Sequence, residues 1–330
     1  MNLVRAEFGR LYARRFVRLM LVLLIVAFGI TVATTLVSTH QPTARELAQA
    51  EELAEQQRRA NERLYADCQA AKSGAANSEY PPEFLAKCNL DRPAEVHETD
   101  YLYGVFVFER EIRPLTYFLI TFLVLFGFLV GASYIGADLH SGGMTNLLLW
   151  RPKRMVVLGT KLGTLLAGVL GVTVLSAVVY LSAFWVISEV GGFPGNLDGE
   201  FWRWLSLTAV RGGTLIALVT ALSFGLAVLG RHTAAALGVV AGYAVVWELG
   251  ARIVMEIVDA FRPDQWMLST YVAAWMSGKL DLWDSASCVG LGSCDGRYTI
   301  TWLSALIVLL VVVGGCVGAA FASFRQRDLA

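Results

Sequence analysis

Six stretches of this chain are long and apolar enough to cross a lipid bilayer, and they leave few architectures open. They run Leu19–Val37, Leu115–Ala137, Leu162–Ile187, Leu205–Gly230, Thr233–Val254 and Ile300–Ala322. About 20 apolar residues in helical form span the roughly 30 Å hydrocarbon layer. Lipid offers the backbone no hydrogen-bonding partner, so a spanning segment must satisfy its own amides. The expectation is an all-α integral membrane protein with six transmembrane helices. Composition agrees: of 330 residues 56% are hydrophobic and 16% charged, against about 25% charged in soluble domains. That balance excludes a disordered chain, a disulfide-stapled miniature and a basic nucleic-acid binder. The first stretch has the Arg-rich flank of a signal peptide, but it is too long, and no small-x-small cleavage site follows Val37. It reads as an uncleaved first span.

The net charge is zero, and its division along the chain orients the spans. If six spans alternate, one side collects Arg5, Arg10, Arg14, Arg15, Arg18, Arg151, Lys153, Arg154, Lys161, Arg231, Arg325 and Arg327 against Glu7, Asp138 and Asp328, a balance of +9. Segments 39–114, 189–203 and 259–299 carry −9 on the other side. Positive loops stay inside, so both termini should be cytoplasmic in a multi-pass cell-membrane protein.

Residues 1–18 interleave Leu3, Phe8, Leu11, Tyr12 and Phe16 with arginines, the pattern of an amphipathic helix lying on the inner leaflet; a plain topology-fixing flank is the alternative. The remaining chain, 19–330, is the transmembrane domain, with 39–114 inserted as an extracellular cap and 259–299 as an outer loop. Within the cap, Thr43-Ala-Arg-Glu46 is a capping box opening a charged helix over 43–66. The aromatic run Tyr101–Phe108 ends at Pro114 before span 2 and should sit at the outer interface. Trp266–Met276 is apolar enough to form a re-entrant helix. Cys68, Cys88, Cys288 and Cys294 all fall on the outer side and Cys316 inside span 6. An oxidising compartment favours Cys68–Cys88 and Cys288–Cys294 disulfides, although four cysteines allow three pairings and four free thiols remain the alternative. None of these cysteine spacings looks like a zinc site, and no histidine accompanies the pairs.

Nothing in the sequence supports intrinsic catalysis. There is no GxxxxGK[ST] phosphate loop, no HExxH and no GxSxG. The informative stretch is the long cytoplasmic loop 136–161. An acid, Asp138, ends span 2; Gly142 and Gly143 break the chain; a short apolar helix follows over Met144–Trp150; Pro152 stops it; Arg154 and Lys161 lead seven residues apart into span 3. This arrangement resembles the type-2 ABC transporter permeases, whose members carry an acid, Gly-Thr, a short leucine-rich helix, Pro, Arg and then Lys. The matching positions are Asp138, Gly142, Leu147–Leu149, Pro152, Arg154 and Lys161. The six-span plan and basic amphipathic N-terminus extend the resemblance. The chain departs from the pattern in having Asp for the usual Glu, Gly143 for Thr, and a longer first external segment.

The resemblance implies a permease that dimerises, as homodimer or paralogous heterodimer, and is driven by two copies of a separate ATPase. ATP hydrolysis, with Mg-ATP as cofactor, would belong to that partner and not to this chain. Asp138, Gly142, Leu147, Leu148, Trp150, Pro152, Arg154 and Lys161 would form the coupling loop, its helix pressed into the ATPase. An exposed apolar helix with Trp150 needs a covering surface; the inner leaflet is the alternative. The expected cargo is an amphipathic or lipid-like compound or drug, moved outward. A secondary transporter is a rival, against which stands the absence of an internal repeat. A non-transporting assembly subunit using its cap to bind a partner is another.

Charged groups within spans are costly, so Arg211 and Glu248 are expected to pair, with Arg252 competing for Glu248. Alternatively Glu248 lines a path and meets a cationic substrate. Phe118, Phe122 and Phe126 recur every four residues and form one stripe on span 2, either packing or facing the transport path. Four glycine pairs have GxxxG spacing: 127/131, 159/163, 238/242 and 314/318. Most of these are expected in internal packing.

Overall fold

The computed structural model describes residues 3–73, 95–144, 149, 153–258, 260–284 and 296–326. Among these, six helices have the length and apolarity to cross a membrane. They are α2 (Arg15–Ser38), α4 (Phe108–His140), α5 (Arg154–Gly191), α6 (Gly199–Gly230), α7 (Thr233–Ile257) and α9 (Trp302–Gln326). Three further helices are α1 (Leu3–Ala13), α3 (Ala44–Ser73) and α8 (Leu268–Ser277). The six long helices coincide with the six apolar stretches. The fold is not wholly helical, however: β1 (Lys279–Trp283) and β2 (Arg297–Thr301) pair antiparallel, Lys279 opposite Thr301 and Trp283 opposite Arg297. Alternation explains the hairpin: Tyr298 and Ile300 turn inward while Arg297, Thr299 and Thr301 stay exposed.

Contacts divide the chain into two units. The first comprises Met1–Gly29, Pro114–Tyr180 and Asp198–Ala330. Its most buried span is α4, 61% of whose apolar window is covered, whereas α2 and α7 are each 6% covered. Helix α4 lies against α6 through Gly127 and Gly131, where Thr220 and Ser223 approach so closely that a side chain would collide with them. The other three glycine pairs meet nothing within 4 Å. The expectation that most such pairs pack internally is therefore corrected: one does. Asp198 accepts from the Phe201 amide at 2.8 Å to start α6, and Arg231, left-handed at φ 55°, ends it. His232 Nδ1 then accepts from the Ala234 amide and caps α7. Within α7, Tyr243–Ala251 is a π-helical stretch. A core of Leu215, Ala274, Trp275, Tyr298, Ile300, Ala305 and Leu309 joins α6, α8, the hairpin and α9.

The second unit comprises Ile30–Arg113 and Leu181–Leu197. Helix α3 opens on the expected capping box: Thr43 Oγ1 accepts from the Glu46 amide, and Glu46 accepts from the Thr43 amide at 2.7 Å. These bonds, with that of His40, hold the Glu46 carboxyl down at about 2. Ala50 packs with Leu102, Val105 and Val107 in a small core. Thr39 Oγ1 accepts from the Phe106 amide and donates to Gly191 O. In the aromatic run Phe106 and Phe108 are buried and Tyr103 is exposed, and Pro114, expected to precede span 2, lies inside α4. Cys68 is buried, Cys316 is the free cysteine among the described residues, and Cys88, Cys288 and Cys294 lie outside them.

Candidate functional site

Three helices converge on a buried cluster of charges. On α1, Glu7 and Leu11 share one face, one turn apart, and Arg14 continues it at the junction with α2. Glu7 and Leu11 are 1% and 2% exposed. Leu11 and Phe8 reach Gly168 of α5, where the missing side chain admits them. One face of α1 is thus covered by protein, while Val4 and Tyr12 stay exposed. Tyr134 and Asp138, one turn apart at the end of α4, face the same point. Lys161 comes from α5, 1% exposed, in the inward row that includes Val157, Leu158 and Leu165.

Lys161 Nζ donates to Glu7 Oε2 at 2.7 Å and to Asp138 Oδ2 at 2.8 Å. Tyr134 donates its hydroxyl to Glu7 Oε2 at 2.5 Å. Arg10 pairs with Glu7 Oε1 at 3.1 Å, and Arg14 pairs with Asp138 and donates to Ser133 O at 3.1 Å. The ring of Tyr134 lies under both cations, 4.9 Å from Lys161 Nζ and 5.0 Å from Arg14 Cζ. Two carboxylates thus face Lys161 and Arg14 inside, with Arg10 at the solvent edge. A buried charge costs several kcal/mol to desolvate, and only such complete pairing makes it tolerable. The cluster joins α1 to α4 and α5, the two helices that flank residues 141–153.

Of the coupling-loop residues read from the sequence, Asp138 and Lys161 are brought together. Arg154 opens α5, seven residues before Lys161. Gly142 takes a left-handed φ of 71° just past α4, a conformation that favours glycine. Leu147, Leu148, Trp150 and Pro152 lie outside the described residues. Glu7, Arg10, Arg14 and Tyr134 are the members that sequence reasoning missed. Nearby, the rings of His140 and His232, remote in sequence, meet edge to face at 4.7 Å.

The expected Arg211–Glu248 pair does not form. Glu248 instead accepts from the Ser269 amide at 3.0 Å, Ser269 Oγ at 2.6 Å and the Tyr243 hydroxyl at 3.0 Å. Arg211 donates to Met276 O at 3.3 Å and packs on Gly278. The two charges sit at opposite ends of α8, the anion at its N-terminus and the cation at its C-terminus, so each complements the helix dipole. Arg252 pairs with Glu256 and Asp264 instead. On α4, Phe118 and Phe122 are half-buried with ring centroids 4.5 Å apart, and Phe126 is buried.

A family model described as "ABC-2 family transporter protein" matches residues 1–329. No curated protein and no solved structure matches the chain.

Proposed function

Since the chain belongs to the ABC-2 family of transporter proteins, we propose that it is the permease subunit of an ATP-driven exporter. It works with a second permease copy and with two copies of a separate ATPase that bind Mg-ATP. The cargo is an amphipathic or lipid-like compound, moved outward across the cell membrane. Both termini and the 141–153 loop face the cytoplasm, as the +9 balance on that side supports. Residues 39–114 form an external cap carrying a Cys68–Cys88 disulfide, with Cys288–Cys294 in the outer loop and α8 as the re-entrant helix.

The observation that carries this reading is the cluster of Glu7, Asp138 and Lys161. It binds α1 to both helices leading into and out of the loop, so a displacement of the ends of α4 and α5 is shared with α1. Helices α2 and α7, barely covered within this chain, are the surfaces on which the second copy packs, and Phe126 on α4 lies toward the interior from which cargo is shifted. ATP closure in the partner displaces the loop; the cluster transmits the motion to α2 and α4, which shift against α7.

Affinity purification of the full chain from native membranes tests the proposal. A stoichiometric ATPase should accompany it, and replacing Leu147–Trp150 with polar residues should release that partner. A secondary transporter or an assembly subunit would copurify without an ATPase, and that result would overturn the proposal.

A further inference from the structure

Beside α8 the first unit forms a cavity of about 530 Å³ between α6, α7, α8 and α9, open along one side. Its aliphatic floor comes from residues such as Leu222, Val240 and Val312, and four aromatic side chains, Tyr243, Trp247, Trp266 and Tyr271, line the same space. The volume lies in the range of small-molecule sites, which are mostly apolar with a few polar groups. Trp247 Nε1 donates to Trp266 O at 3.0 Å, and Tyr271 donates to Gln265 O at 2.9 Å, so the aromatic wall is held in place. Trp266 is 64% exposed at the margin, leaving the cavity open there. The adjoining backbone of α7 is π-helical, an irregularity found frequently at functional sites.

One charge stands next to this space. The Tyr243 hydroxyl donates to Glu248 while its ring lines the cavity. Glu248 is held by neutral donors, and among the described residues no cation lies within ion-pair distance of it. Aromatic faces carry a negative quadrupole that attracts cations, with quaternary ammonium recognition the clearest use. An apolar groove walled by aromatic rings and backed by a carboxylate that no cation among the described residues pairs with selects for one chemistry.

We propose that the cavity bounded by Tyr243, Trp247, Trp266 and Tyr271 binds a hydrophobic cation, with Glu248 supplying the charge preference. The proposal rests on the transporter reading and narrows its cargo from amphiphiles in general to apolar bodies bearing a positive charge. Gln265 and the Tyr243 hydroxyl mark the polar end of the site, and the aliphatic residues receive the apolar body.

Tetraphenylphosphonium and tetraphenylborate, nearly equal in size and opposite in charge, provide the probes. Cys316 lies in the cavity wall, so its alkylation by a maleimide, followed by mass spectrometry of its peptide, reports occupancy at this place. On the full-length chain in lipid nanodiscs, the ratio of protective concentrations for Cys316, tetraphenylborate over tetraphenylphosphonium, should be about tenfold higher in the wild type than in Glu248→Gln, which keeps an acceptor for Ser269; that is roughly 1.4 kcal/mol. Glu248→Asp should keep the wild-type ratio. Comparing variants cancels the unequal partitioning of the two ions into lipid. A ratio that Glu248→Gln leaves unchanged, or no protection by either ion, would overturn the proposal. The probe needs no ATPase, so failure here leaves the copurification result standing, and loss of the ATPase would not alter the binding measurement.

Discussion

Replacing Lys161 with methionine removes the cation that two carboxylates share, and the cost follows from what remains. Glu7, 1% exposed, keeps the Tyr134 hydroxyl and Arg10, whose side chain is 57% exposed. Asp138 keeps Arg14. Glu7 is left as a buried anion with one solvent-edge cation, and breaking a buried pair from one side costs about 3–5 kcal/mol. Glu7→Gln is milder, because Lys161 retains Asp138 at 2.8 Å; losing a hydrogen bond to a charged group costs about 1.5–3 kcal/mol. The double variant removes both buried charges and leaves the Arg14–Asp138 pair. Met fills most of the volume of Lys, so repacking should cost less than about 1.5 kcal/mol. Equilibrium unfolding of the full-length chain in mixed micelles measures all three. The expected order of stability is double variant above Glu7→Gln above Lys161→Met, with a coupling of at least about 3 kcal/mol across the cycle. Additive losses, or Lys161→Met no worse than Glu7→Gln, would refute the pairing argument.

Gly131→Ala should destabilise the first unit by about 1–3 kcal/mol through overpacking, because the new side chain would stand 2.9 Å from Thr220 O, backbone that cannot move aside; Gly318→Ala, facing open space, should be nearly neutral in the same unfolding assay. Glu46, held at about 2 against an ordinary 4.5 chiefly by the Thr43 amide and hydroxyl, contributes stability that is present above pH 4.5 and lost as pH falls toward 2. Hydrogen exchange in the first turn of α3 should therefore stay slow at pH 4, and Thr43→Ala should accelerate it there; equal rates in both chains would contradict the cap.

The spans were legible because apolar runs of this length have one structural solution in lipid. The capping box at Thr43–Glu46 was legible because its geometry is local. Asp138 and Lys161 stood out by their place at the two ends of one loop, but their partner did not. Glu7 looked like a minor offset among five arginines in the first eighteen residues, and a charge sum conceals a single acid whose function is positional. Its spacing with Leu11 and Arg14 marks one helical face, a signal visible once α1 is asked to pack against protein. Arg211 and Glu248 were read correctly as charges needing compensation. Sequence depth alone suggested each other, whereas the ends of a short helix between them supplied the compensation. The hairpin was obscured by the polar loop around it, although Arg297–Thr301 alternates as a half-buried strand should.

The central claim is that the Glu7–Asp138–Lys161 cluster transmits the work of a partner ATPase into the spans. The ATP turnover of the purified complex, with and without transported compound, tests it most directly when the stable Glu7→Gln/Lys161→Met double variant is compared with the wild type. The account predicts that the double variant retains its ATPase partner while compound no longer stimulates turnover. Stimulation at the wild-type level in that variant would contradict it.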